Sequence, residues 1–136
     1  MPMSYRRRLV AIVDDDERVC RALKRLIIAS NMEATTFLSG RAFLESLHVR
    51  PPDCVLLDFH MPDLTGEDVL KALARAGRGL RVIVISGRDD PANRAISFAL
   101  GAVAYLPKPL DPAVLQAALV DALTGSADNN GFDPAI

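Results

Sequence analysis

Five short apolar runs recur along this chain, and a polar residue ends each one. Leu9-Val10-Ala11-Ile12-Val13 stops at Asp14-Asp15-Asp16, Ala34-Thr35-Thr36-Phe37-Leu38 at Ser39, and Cys54-Val55-Leu56-Leu57 at Asp58. Val82-Ile83-Val84-Ile85 stops at Ser86, and Val103-Ala104-Tyr105-Leu106-Pro107 at Lys108. Unbroken apolar runs of this length suit strands covered on both faces. The second run is more polar, which suits an edge strand. If the five form one parallel sheet, carboxylates, a hydroxyl and an ammonium share its C-terminal edge. Open α/β sheets bind ligands at that edge. This set of groups suits a divalent cation and a phosphoryl group.

Helical patterns lie between the runs. Val19, Leu23, Leu26 and Ile27 recur at helical spacing after Asp16. Ser39 is a candidate N-cap for a helix carrying Phe43, Leu44 and Leu47. Thr65 or Asp63 opens a third helix, with Val69, Leu70 and Leu73 on one face and Ala76-Gly77 at its end. Asp90-Pro91 and Asp111-Pro112 are cap-then-proline starts. The first of these helices runs to about Leu100, where Gly101 can take the left-handed C-cap conformation. The second carries Val114, Leu115, Ala118, Leu119 and Ala122. Strand and helix alternate five times, which predicts parallel strands, right-handed crossovers and helices on both faces. After Leu123 the periodicity ends. Residues 124–136 are rich in Gly, Asp, Asn and Ser and read as a flexible tail or truncated linker. Residues 1–7 read as an N-terminal extension, leaving 8–123 as the domain.

Composition narrows the function classes. A chain of 136 residues that is 50% hydrophobic suits one domain with a full core. A net charge of −1 gives no general drive towards nucleic acid or an anionic membrane. Arg6-Arg7-Arg8 is the one basic run and reads as a solvated approach to the first strand. The first residues lack a signal-peptide core, and no apolar stretch is long enough to span a bilayer, so a cytoplasmic location is expected. Cys20 and Cys54 sit inside apolar patterns and read as buried reduced thiols.

Asp14, Asp15 and Asp58 cannot all stay ionised close together without a counter-charge. A Mg²⁺ ion answers that need, since it commonly takes one or two carboxylates plus phosphate oxygens. A carboxylate is also a nucleophile towards a phosphoryl group, giving an acyl phosphate. Lys108 would pair with phosphoryl oxygens, and Ser86 would donate a hydrogen bond to another. Their neighbours have plainer readings. Asp16 and Glu17 suit a helix N-terminus; Asp89 and Asp90 suit a loop and cap; Met61-Pro62 and Gly66 shape the loop after Asp58. His60 has no second histidine spaced to join it as a metal ligand, and His48 reads as surface.

The motifs Val-Asp-Asp-Asp-Glu at 13–17, Leu-Leu-Asp-Phe-His-Met-Pro-Asp-Leu-Thr-Gly at 56–66, Ile-Ser-Gly at 85–87 and Tyr-Leu-Pro-Lys-Pro at 105–109 follow in order. With them the chain resembles the receiver domain of two-component response regulators. The resemblance implies a flavodoxin-like doubly wound (βα)5 fold with strand order 2-1-3-4-5. It implies that Asp58 accepts a phosphoryl group from a histidine kinase or phosphotransfer protein. Asp14, Asp15, Asp58 and the backbone carbonyl of His60 would hold Mg²⁺. Ser86 and Tyr105 match the switch hydroxyl and aromatic, Lys108 the phosphate-pairing lysine, and Pro109 a proline after a cis bond. Phosphate would draw Ser86 inward, and the vacated space would favour an inward Tyr105 ring. The surface of the fourth helix, fifth strand and fifth helix would then change and offer a dimer or output-domain contact. The motif details are similar to receivers that precede a LuxR-type output domain, so these residues are not expected to bind nucleic acid themselves.

His60 and Arg88 each follow a key residue by two positions, Asp58 and Ser86 respectively. They are expected to shield the phosphoryl group and lengthen its lifetime, with Arg88 also able to pair with Asp89. Three alternatives fit less well. Haloacid-dehalogenase-like phosphohydrolases carry a second Asp where His60 stands. A phosphate-independent receiver-like interaction module usually lacks the acidic pair, the acceptor or the lysine, and all are present here. A Rossmann nucleotide site lacks its Gly-rich loop, since Asp14-Asp15-Asp16 occupies that place.

Overall fold

The computed structural model describes residues 7–88 and 90–129. Strand and helix alternate as β1 (Leu9–Val13), α1 (Glu17–Ala29), β2 (Glu33–Phe37), α2 (Gly40–Ser46), β3 (Cys54–Asp58) and α3 (Gly66–Arg75), then β4 (Arg81–Ser86), α4 (Pro91–Ala99), β5 (Ala104–Pro107) and α5 (Pro112–Asn129). The strands form one parallel sheet in the order β2-β1-β3-β4-β5. This is the doubly wound arrangement that the alternation and the resemblance predict.

Side-chain alternation along each strand divides the core into two apolar layers. Ala11, Val13, Val55, Leu57, Val82 and Val84 face one way, towards Phe43 of α2 and Val69, Leu70 and Leu73 of α3. Val10, Ile12, Leu56, Ile83 and Ile85 face the other way, towards α1 and α5. β1 and β3 are buried at every position because both lie inside the sheet. β2 lies at an edge, as its polarity predicts, and is only partly covered.

Local chemistry fixes where each helix starts. Asp16, Ser39, Asp90 and Asp111 each accept a hydrogen bond from a backbone N–H two or three residues on. Such caps stabilise a helix by about 1 kcal/mol each. Thr65 opens α3 with a reciprocal capping box to Asp68, whereas Asp63 sits in the preceding loop at φ +63°. Gly77 and Gly101 take left-handed conformations just past α3 and α4.

One boundary differs from expectation. The sequence reading ends the last helix at Leu123, but α5 continues to Asn129. The apolar stripe does stop at the buried Ala122 and Leu123. The backbone ladder goes on because extending a nucleated helix costs little per residue. Residues 130–136 of the expected tail, residues 1–6 of the expected extension, and Asp89 lie outside the described residues.

Candidate functional site at the C-terminal edge of the sheet

Strand register brings the chemical groups together. Val13 pairs with Leu57, Asp58 with Ile85, and Ser86 with Pro107. Asp14, Asp58, Ser86 and Lys108 therefore all stand at one edge. Carboxylate oxygens of Asp14, Asp15 and Asp58 lie within 4.8 Å of one another. Asp14 and Asp58 are buried, at 2% and 4% exposure, while Asp15 is open to solvent. Lys108 reaches in from the end of β5. Its Nζ lies 3.0 Å from Asp14 Oδ2 and 3.5 Å from Asp58 Oδ1. The Lys108 N–H donates to the Ser86 carbonyl at 2.7 Å, and the Lys108–Pro109 peptide is cis.

One ammonium does not balance three carboxylates. Burial, and then the neighbouring Asp14 charge, push the Asp58 carboxyl up to about 6; Lys108 and the His60 N–H oppose this only in part. Burial disfavours the Lys108 charge, but its hydrogen bond to Asp14 and the nearby carboxylates outweigh that and hold it above the usual lysine value. The site thus carries a tight group of hard oxygen donors with excess negative charge. That donor set fits Mg²⁺, which prefers carboxylate and water oxygens.

The surrounding chain holds these groups in place. Asp16 N–H donates to Asp14 Oδ1 at 2.9 Å, and the Cys20 thiol donates to the Asp14 carbonyl at 3.3 Å. Burial pushes the Cys20 and Cys54 thiols up to about 11 and about 12, so both stay neutral at pH 7. Gly66 N–H donates to the Phe59 carbonyl at 3.1 Å. A Cβ on Gly66 would stand 2.6 Å from the Asp58 carbonyl oxygen and from Phe59 Cα. The α3 N-terminus can approach the Asp58 loop this closely because residue 66 is glycine.

Ser86 is fully buried, and its Oγ donates to the Arg88 carbonyl at 2.8 Å. Tyr105 is inward at 3% exposure, and its hydroxyl donates to the same carbonyl at 3.1 Å. The sequence reading ties the inward ring to a Ser86 drawn towards phosphate. Here the ring is inward while Ser86 is turned to Arg88. The Arg88 carbonyl and the Arg94 guanidinium, 5.3 Å from the ring centroid, are what hold it.

His60 and Arg88 are exposed on their loops. The His60 N–H donates to Asp58 Oδ1 at 3.4 Å, and its ring meets Phe59 edge-on with centroids 5.2 Å apart. Burial, then Arg88 and Lys108, hold the imidazole below its ordinary value, against the pull of Asp90. Two contacts have no counterpart in the sequence reading: Asn93 Nδ2 lies 3.4 Å from His60 Nε2, and Arg94 stacks on Tyr105. Nothing in an α4 sequence with a proline start and small residues marks either one.

The family profile of the response regulator receiver domain matches residues 10–120. FixJ of Azorhizobium caulinodans, a transcriptional regulatory protein, is 34% identical over 93% of this chain and 60% of its own length. The DNA-binding transcriptional regulator NtrC of Klebsiella pneumoniae is 35% identical over 74% of this chain and 21% of its length. The chain thus spans only part of the curated relatives it matches. A response regulator receiver protein from Burkholderia phymatum superposes with a TM-score of 0.77 at 38% identity, covering 87% of this chain and 96% of that one. A CheY-like receiver domain from Methanospirillum hungatei shares the fold, with a TM-score of 0.85, over 90% of this chain and 98% of its own. The chain belongs to the response regulator receiver domain family. Receiver domains of this family are phosphorylation-dependent signalling switches of two-component systems.

Proposed function

We propose that Asp58 is the phosphoacceptor and that Asp14, Asp15, Asp58 and the His60 carbonyl hold Mg²⁺ beside it. The observation that carries this reading is the carboxylate cluster closed by Lys108. An ionised Asp58 oxygen attacks phosphorus. The bond from phosphorus to the donor's imidazole nitrogen, or to an acyl oxygen of a small phosphodonor, breaks, and its electron pair leaves with the donor. Bound Mg²⁺ supplies charge neutralisation for the phosphoryl oxygens. Lys108 pairs with one oxygen as a point charge, moving its ammonium only within the pocket it already occupies. Ser86 Oγ turns from the Arg88 carbonyl to donate to another. His60 and Arg88 flank the product and slow the approach of water.

The partner is a histidine kinase or phosphotransfer protein in the cytoplasm. The output contact is the α4-β5-α5 surface, which leaves Phe98, Val103, Val114 and Val120 exposed. No helix among the described residues is long and apolar enough to cross a membrane. DNA binding belongs to NtrC, a DNA-binding transcriptional regulator, and is not proposed for these residues. Acetyl phosphate with Mg²⁺ tests the reading: intact mass rises by one phosphoryl group, and Asp58→Asn abolishes the gain. Equal labelling of the variant would remove Asp58 as the acceptor.

A further inference from the structure

His60 is an exposed side chain on the loop after β3, yet its ring is fixed at two points. One is the edge-on contact with the buried Phe59. The other is Asn93, 33 residues further along, whose Nδ2 lies 3.4 Å from His60 Nε2. With the amide nitrogen facing the ring, this contact is a hydrogen bond in the tautomer that carries its ring proton on Nδ1 and leaves Nε2 as the acceptor. Asn93 is itself well seated. It lies in the first turn of α4, which Asp90 caps, and its carbonyl accepts from the fully buried Ser97 hydroxyl at 2.8 Å. The next residue, Arg94, stacks on Tyr105. One turn of α4 thus touches the phosphoacceptor loop through one side chain and the inward aromatic through the next.

We propose that Asn93 is a positioning residue: its amide fixes the His60 imidazole over the loop that follows Asp58 and thereby makes the lifetime of the acyl phosphate depend on where α4 sits. This rests on Asp58 being the phosphoacceptor. A hydrogen bond of 3.4 Å is long, and it spans a loop and a helix that share no strand pairing. A small displacement of α4 breaks it. His60 is then free to swing away, and water reaches the phosphoryl group more readily. A partner that grips α4 in place would prolong the phosphorylated state, and one that pulls α4 outward would shorten it.

The test uses the whole chain, phosphorylated with acetyl phosphate and Mg²⁺ and then freed of donor. Release of inorganic phosphate is followed for Asn93→Ala, His60→Ala and the double variant. Each single change is expected to speed release about threefold, a barrier change of about 0.6 kcal/mol, and the double variant is no faster than His60→Ala. Ring ¹⁵N shifts of His60 supply a readout that general loosening would not give: Asn93→Ala moves the tautomer away from Nδ1–H. Multiplicative rates in the double variant, an unmoved tautomer, or an unchanged rate in Asn93→Ala would each overturn the proposal. Phosphoryl uptake separates this from the broader reading. Normal uptake with unchanged lifetimes overturns the role of Asn93 alone, whereas no uptake by the parent chain overturns both.

Discussion

Ser86 and Tyr105 are joined through a single oxygen: both hydroxyls donate to the Arg88 carbonyl, at 2.8 and 3.1 Å. If Ser86 leaves to bond a phosphoryl oxygen, that carbonyl keeps Tyr105 as its side-chain donor, and the loop between β4 and α4 loses a tether. Backbone NMR with a beryllofluoride phosphate mimic is expected to show shifts at 88–100 and at Tyr105 in the parent protein. In Ser86→Ala the changes should shrink towards the Asp58 pocket. A full α4 response in that variant would mean that another route links the two regions.

Shielding by His60 and Arg88 predicts a kinetic effect without loss of phosphorylation. Replacing both by alanine should speed autodephosphorylation by a few-fold, or roughly 1 kcal/mol of barrier. Phosphate release from purified phosphoprotein measures it, and a slower rate would mean that these side chains assist hydrolysis. Because His60 is held below its ordinary value, the ring is neutral above pH 7. Any contribution of its charge to the rate should appear only on the acid side.

The raised Asp58 carboxyl has a consequence for stability. Its folded value of about 6 lies above the ordinary 3.8. Between those values the folded protein holds a proton that the unfolded chain has released. Stability therefore falls as pH rises through that window, and the loss is complete above it. In metal-free protein at pH 7.5, Asp58→Asn should be more stable by about 1–3 kcal/mol. The gain should shrink as pH falls towards 4. Thermal melts in a chelator check this; an Asn variant that melts no higher at pH 7.5 would contradict it. Mg²⁺ should raise the melting temperature of the parent protein more than that of the variant.

Gly66, beside the site, and Gly79, before β4 at the opposite edge of the sheet, make a paired test of packing. A Cβ at 66 meets backbone atoms at 2.6 Å, whereas at 79 it meets nothing within 4 Å. Gly66→Ala should cost about 1–3 kcal/mol and slow phosphoryl uptake by shifting the Asp58 loop. Gly79→Ala should be close to neutral in both denaturant melts and labelling. Equal effects would show that the Asp58 loop yields freely to the α3 N-terminus.

Much of the molecule is legible in the chain because its signals are local or repeat. The apolar runs report strands, since burial on both faces demands it, and Asp-Pro pairs report helix starts through capping chemistry. Asp14, Asp58, Ser86 and Lys108 stand out because reactive residue types end apolar runs, and parallel pairing then fixes them at one edge. The contacts of Asn93 and Arg94 are not legible. They depend on how a loop and a helix lie across a gap, and asparagine and arginine are ordinary in a solvated helix. What anchors the Tyr105 ring inward while Ser86 is turned to Arg88 is hidden for the same reason, because its acceptor is a backbone carbonyl, which any residue at 88 would provide. The end of α5 escaped because apolar spacing reports packing, and a helix can outrun the surface it packs on.

The division of the core by the sheet also has an evolutionary side. Tyr105 and the α3 and α4 side chains belong to one apolar layer, and the α1 and α5 side chains to the other, with whole strands between them. Substitutions on opposite sides share few neighbours, so their stability effects should add rather than compound. One flank can drift to suit a new upstream partner while the other keeps its response intact. Both remain tied to the same row of residues along the sheet's rim, where neither flank is free to vary alone.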